Sequence, residues 1–156
     1  MLILPVIRLA TTDDAGAIAQ MSRSYIEQGL GWSWREGRVL RAIGDASTNV
    51  AVMTDAVDTI IGFGIMQYWL ETSHLALFAV RPSHRNQGLG SRLVEWLEQP
   101  ARVAGIERVK VEARADNQKA IAFYRRLGFT PVRTVTGYYG GVVDAVQLEK
   151  QLSGPA

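Results

Sequence analysis

Short apolar runs and helical periodicities succeed one another along the chain. Val6–Leu9 reads as a first strand. Ile18, Met21 and Tyr25 recur at helical spacing, behind the N-cap candidates of the Thr11-Thr12-Asp13-Asp14 run and ahead of Gly29 and Gly31, which predicts an amphipathic helix over residues 13–28. Arg35–Ile43 predicts a second, shorter helix beyond Trp32 and Trp34. From Asn49 the texture changes. Asn49–Thr54, Thr59–Leu70 and His74–Val80 are rich in β-branched and aromatic residues, with turns at Asp55–Asp58 and Glu71–Ser73. They predict an antiparallel meander, ended by Pro82. Polar Ser83–Gly90 leads into a helix over Ser91–Ala104, with Leu93, Val94, Leu97 and Val103 turned inward and Pro100 a weak point. Arg108–Ala113 is a strand, and Gln118–Leu127 a helix stopped at Gly128. Pro131–Gly137 and Val142–Leu148 form a hairpin around Tyr138-Tyr139-Gly140-Gly141. The order β-α-α-β-β-β-α-β-α-β-β predicts an α/β (α+β) fold, a mixed sheet with helices on both faces.

Composition narrows the classes. The 156 residues suit one domain spanning 1–156. A net charge of +2, with basic residues scattered, gives no electrostatic case for nucleic acid. The chain has no cysteine, which excludes disulfides, thiolate metal sites and a cysteine nucleophile and suits the cytoplasm. No metal site is expected. The longest apolar runs are far too short to cross a bilayer. The start, Met1-Leu2-Ile3-Leu4-Pro5, lacks the features of a signal peptide.

The chemistry concentrates in the turn before the third helix. Arg85-Asn86-Gln87-Gly88-Leu89-Gly90 lies between a strand and a helix. Glycine there lets backbone approach a ligand, and unpaired N–H groups at a helix start attract an anion. A dinucleotide fingerprint would need glycine where Leu93 stands, and the Gly-Lys-Ser/Thr of a P-loop is missing. A generic nucleotide-binding domain is thereby disfavoured.

Arg85-x-x-Gly88-x-Gly90 resembles the R/Q-x-x-G-x-G/A motif of the GNAT acetyltransferases, which cradles the coenzyme A pyrophosphate. Leu75–Pro82 looks like that family's fourth strand, and Asn117–Phe129 is similar to its N-x-x-A-x-x-F/L-Y-x-x-x-G-F segment. The resemblance is close over about residues 74–148, and follows element order elsewhere. It implies a largely antiparallel sheet of six to seven strands and acetyl-CoA as co-substrate. It places Phe78, Ala79 and Val80 along the pantetheine arm, and Arg85, Asn86, Gln87, Gly88, Leu89, Gly90 and Ser91 around the pyrophosphate. Asn117 would bond the pantetheine, besides the helix N-cap role that Asn fills well on its own. Homodimers are frequent in families of this kind, although the sequence itself gives no oligomeric state.

Acetyl transfer to an amine needs a base for the nucleophile and an acid for the departing thiolate. Tyr124 stands where the family has its acid, although helical spacing with Ile121 and Leu127 also fits a core tyrosine. The fourth-strand carboxylate of many members is missing, since Ala76 and Leu77 occupy its place. Glu112, five residues before Asn117, resembles the base in the "LEVRxxN" strand of bacterial ribosomal-protein N-terminal acetyltransferases. A solvated strand-edge carboxylate is the plainer reading of it. Strand alternation sets Lys110 and Glu112 on one face. Glu71 and His74 are weaker candidates, and His84 reads as a surface residue. Tyr138 and Tyr139 resemble the paired tyrosines that border the peptide slot of protein N-terminal acetyltransferases. Trp32 and Trp34 could instead close the cleft over a small apolar amine. The expected activity is N-acetylation of a primary amine, a peptide N-terminus ahead of a small metabolite. A silent coenzyme-A-binding module would keep Arg85–Gly90 and Asn117 but need neither Glu112 nor Tyr124.

Overall fold

The computed structural model describes residues 5–152, so the start read for targeting signals lies, apart from Pro5, outside the described residues. Seven strands form one sheet: β1 (Val6–Leu9), β2 (Thr48–Thr54), β3 (Ile60–Tyr68), β4 (Thr72–Val80), β5 (Arg108–Arg114), β6 (Thr130–Tyr139) and β7 (Val143–Gln151). Four helices accompany them: α1 (Ala15–Tyr25), α2 (Glu36–Gly44), α3 (Leu89–Val103) and α4 (Gln118–Arg126). The spatial order is β1-β2-β3-β4-β5-β7-β6, and only the β4–β5 pair is parallel. This is the mixed, largely antiparallel sheet that the element order predicts.

Helices cover both faces. α1 and α2 bury Ile18, Met21 and Val39 against Val50, Val52, Phe63 and Ile65. On the other face α3 buries Leu93, Val94, Leu97 and Ala101, and α4 buries Tyr124, against Ala51, Met66, Val109, Val111 and Leu148. The buried α3 positions recur at helical spacing and form one stripe. Val103 falls off that stripe and is 87% exposed, which corrects its expected inward placement. α3 continues through Pro100 to Val103.

A bulge in β4 governs the middle of the sheet. Ile65 pairs with Leu77 and Met66 with Leu75, which leaves Ala76 as an extra residue. Leu75 therefore packs on the α3 side while Leu77 and Ala79 pack on the α1 side, although simple alternation would put all three together. Beyond the bulge β4 parts from β5. Their pairing runs only from Thr72–Leu75 against Arg108–Val111, whereas β4 continues to Val80 and β5 to Arg114.

The seat of α3 depends on a missing side chain. A Cβ at Gly64 would stand 2.6 Å from Leu97 Cδ1, and Leu97 is fully buried with no room to swing aside. Gly64→Ala is expected to destabilise the protein by about 1–3 kcal/mol, the usual cost of overpacking a filled core. Urea unfolding checks this; an unchanged midpoint would show that α3 moves away from the sheet without cost.

Candidate active site

The parted strands open into a cavity of about 610 Å³, of the size that small-molecule sites have. Phe78–Val80 of β4 form one wall and Glu112–Arg114 of β5 the other. β4 stays paired with β3 as far as Val80, so the backbone groups that have lost their ladder are those on the β5 side. They are available to an extended ligand lying between the strands.

One end of the cavity is the glycine-bearing turn. Asn86 has φ 62° and Gly88, the N-cap of α3, has φ 76°. The first intrahelical bond of α3 runs from Arg92 N–H to the Gly88 carbonyl, and no side chain caps the helix. The N–H groups of Leu89, Gly90 and Ser91 thus lack intrahelical acceptors and gather at the positive end of the helix dipole, an arrangement that attracts an anion. Arg85 Nε donates to the Val80 carbonyl at 3.0 Å, which ties the turn to the end of β4. Lys119 and Arg126 of α4 add positive charge to the lining. Gly90 packs tightly: a Cβ there would stand 3.0 Å from Phe123 Cζ, in a ring that stacks on Phe78 at 5.6 Å.

Glu112 occupies the β5 wall. His74 Nε2 lies 2.5 Å from its Oε1, Tyr138 donates to Oε1 at 3.1 Å, and Gln147 Nε2 donates to Oε2 at 2.9 Å. These partners come from β4, β6 and β7, so four strands converge on one carboxylate. Burial alone would push its pKa up. The hydrogen bonds from His74, Gln147 and Tyr138 outweigh that and hold it below the usual glutamate value. Glu112 is therefore a buried, ionised acceptor.

Tyr124 approaches the cavity from α4. Its ring meets Phe123 and Phe129 edge-on at 5.2 and 5.6 Å. Burial, with Tyr139 and the Glu112 charge adding to it, pushes its pKa far up, so it carries its proton at neutral pH. A buried carboxylate and a protonated phenol thus share one cavity, as an acid–base pair requires.

The sequence profile described as Acetyltransferase (GNAT) family matches residues 18–129. The [ribosomal protein bS18]-alanine N-acetyltransferase of Salmonella typhimurium is 30% identical over 148 residues, covering 93% of this chain and 95% of that protein. The chain belongs to the GNAT acetyltransferase family. Among solved structures, the ribosomal-protein-S18-alanine N-acetyltransferase of Escherichia coli superposes with a TM-score of 0.80 at 27% identity, over 98% of this chain and 97% of that one. Ard1 from Thermoplasma volcanium shares the fold, with a TM-score of 0.84 at 24% identity over 97% and 100% of the two chains.

As a GNAT enzyme the protein is an N-acetyltransferase with acetyl-CoA as its co-substrate. The cavity fits that molecule: an open strand edge for the amide-bearing arm, and uncapped N–H groups beside cations for the phosphates. Of the residues expected from sequence, Phe78, Ala79, Val80, Arg85, Asn86, Gly88, Leu89, Gly90, Ser91, Asn117, Glu112, Tyr124 and Tyr139 line the cavity. Asn117 also caps α4, its Oδ1 accepting from Ala120 N–H at 3.1 Å.

Several expected residues fall elsewhere. Gln87 is exposed and outside the lining, because the left-handed Asn86 and Gly88 on either side turn the backbone, not this side chain, toward the cavity. Trp34, expected at the cleft, is buried among Ala15, Ile18 and Val39, since Glu27 holds its N–H and draws the loop inward. Trp32 lines a separate, smaller cavity. Tyr138 and Tyr139 are the last residues of β6, not the hairpin tip, and Tyr138 reaches the site through Glu112. His84 is half-buried and lines the cavity. Glu71 lies at the far end of β4, where its carbonyl accepts from Glu107 and Arg108.

Sequence reading missed Phe123, Lys119, Arg126 and the α1 end at Tyr25 and Ile26. The α4 residues carried a usable signal, because 119, 123 and 126 recur at helical spacing behind Asn117. Gly88→Val is expected to abolish measurable acetyl-CoA binding. A Cβ there meets no protein atom, but φ 76° is hostile to a β-branched residue and the added bulk faces the anion position. Calorimetry on the folded variant checks this; unchanged affinity would move the phosphate site away from the turn.

Proposed function

We propose that this enzyme acetylates the α-amine of a peptide or protein N-terminus, with Glu112 and His74 as the base and Tyr124 as the acid. The observation that carries the reading is the Glu112 carboxylate held in the strand gap by His74, Tyr138 and Gln147, with Tyr124 protonated in the same cavity. Bound acetyl-CoA supplies a thioester whose carbonyl carbon bonds to the amine nitrogen as its bond to sulfur breaks. Glu112 Oε1, with His74 Nε2 beside it, takes the proton that the nitrogen releases. Tyr124 gives its hydroxyl proton to the departing sulfur. The Phe78–Val80 backbone aligns the donor, so the reacting groups meet without a costly search.

The peptide acceptor is supported by relatives whose names specify the alanine of a ribosomal protein. We place the acceptor's way in beside Glu112, between the residue 26–28 segment, whose Gln28 carbonyl accepts from Arg114 at 2.7 Å, and half-exposed Tyr138, which donates to Glu112. The absence of cysteine agrees with a cytoplasmic setting.

An acceptor screen with acetyl-CoA, spanning N-terminal peptides, lysine peptides, polyamines and aminoglycosides, tests the reading, with thiol release as readout. Turnover only with small amines would replace it. Tyr124→Phe is expected to lower kcat by about 10²-fold while acetyl-CoA affinity stays intact; an undiminished kcat would leave Tyr124 as core packing. For Glu112→Gln the sign follows from the lowered pKa. Glu112 stays ionised across neutral pH, while an α-amine becomes increasingly protonated below about 8. The parent-to-variant rate ratio should therefore grow as pH falls from about 9 to about 6. Overlaying profiles would remove Glu112 from the mechanism.

A further inference from the structure

We propose that Arg23, Arg35 and Arg38 form a docking site for acidic side chains of the acceptor, a few residues beyond the amine that faces Glu112; this rests on the peptide reading above. The site is built on the connection between α1 and α2. Two guanidinium groups approach the Trp32 ring, with Arg23 Cζ 5.1 Å and Arg35 Cζ 4.7 Å from its centroid. Arg38 Cζ lies 3.8 Å from the centroid of the Trp34 ring. Guanidinium groups held against aromatic rings keep most of their N–H groups free, Arg38 Nη1 giving one long bond to Ser33 Oγ at 3.5 Å, and those groups match a carboxylate. All three arginines are exposed, and none forms an ion pair among the described residues.

The neighbouring acids are engaged elsewhere. Glu27 is buried and accepts from Ser22 Oγ at 2.8 Å, Ser33 N–H at 2.8 Å, Ser33 Oγ at 2.6 Å and Trp34 N–H at 3.2 Å. Uncharged donors thus saturate both its oxygens, and they fix the loop that presents the arginines. Glu36 leans on the first turn of α1, its Oε2 3.8 Å from where a Gly16 Cβ would stand. That is about 10 Å along the helix from Arg23.

The patch connects through Gln28 to the proposed acceptor entrance. A cavity of about 410 Å³ is lined by Arg23, Glu27, Gln28, Trp32 and Arg35, the Glu27 carboxylate already occupied by its four donors. The Gln28 carbonyl accepts from Arg114 Nη1 at 2.7 Å, and Arg114 lines the catalytic cavity on the same face of β5 as Glu112. The Arg38 charge is felt at Tyr138, the β6 donor to Glu112. Burial and the Glu112 charge push the Tyr138 pKa up to about 12, and the Arg38 charge acts against them. Each residue of an extended acceptor adds about 3.3–3.6 Å, and the positions tested are the third to the sixth beyond the amine.

The test uses peptides of one sequence that carry either aspartate or lysine at those positions, with KM as readout. The aspartate peptides should have a KM lower by about tenfold at low salt, the sum of several modest exposed pairs, and added salt should erase the difference. The variant R23E/R35E/R38E should reverse the preference while acetyl-CoA affinity is unchanged, and Arg35→Gln alone should reduce it. Equal KM for both peptide sets, or a preference that survives the charge reversal, would overturn the proposal. So would a loss of acetyl-CoA affinity in the triple variant, which would assign the arginines to the co-substrate. Turnover of small amines with no peptide acetylated would instead overturn the peptide reading, and this site with it.

Discussion

The molecule is organised around a pairing that is not completed. β4 and β5 are hydrogen-bonded from Thr72–Leu75 to Arg108–Val111 and then part. A backbone group buried without a partner costs about 1–3 kcal/mol, so a closed sheet could not sustain the gap. Here the gap opens to the surface as a cavity, where water or a ligand can satisfy the edge. The Ala76 bulge bends β4 while preserving its ladder with β3, and α3 connects the two strands and brings its uncapped start to the mouth of the opening. The open strand edge, the uncapped helix start, Glu112 and Tyr124 thus border one cavity.

The same gap sets the electrostatics. Glu112 lies on the β5 face that looks away from α3 and α4, where no helix among the described residues covers the β5, β7 and β6 half of the sheet. Neighbouring strands therefore supply its partners, and their hydrogen bonds keep it ionised despite burial. Tyr124 approaches from the opposite face, enclosed by aromatic rings, and burial keeps it protonated. Two groups of opposite proton affinity face one space because the sheet between them is open.

Much of this was legible in the sequence, for identifiable reasons. Each element followed from local periodicity, and the glycine turn and the Asn117 segment were contiguous motifs. Glu112 could be named because the strand five residues before Asn117 resembles the base-bearing strand of ribosomal-protein N-terminal acetyltransferases; alternation alone set it only on one face with Lys110. What remained hidden depended on contacts between distant segments. His74 and Glu112 stood as competing bases 38 residues apart, whereas the structure makes them one unit. Trp34 and Trp32 read as one aromatic run, but Glu27 turns the first into the core and leaves the second beside two arginines. The Ala76 bulge left no local mark, since an extra residue in a strand is visible only against its partner.

The most direct measurement is a crystal structure with a conjugate that joins coenzyme A, through its sulfur and an acetyl bridge, to the α-nitrogen of a short peptide. The account predicts the sulfur between β4 and β5 beside the Tyr124 hydroxyl, the nitrogen facing Glu112 and His74, and the peptide leaving between residues 26–28 and Tyr138. A conjugate whose nitrogen lies away from Glu112, or whose arm avoids the Phe78–Val80 edge, would contradict it.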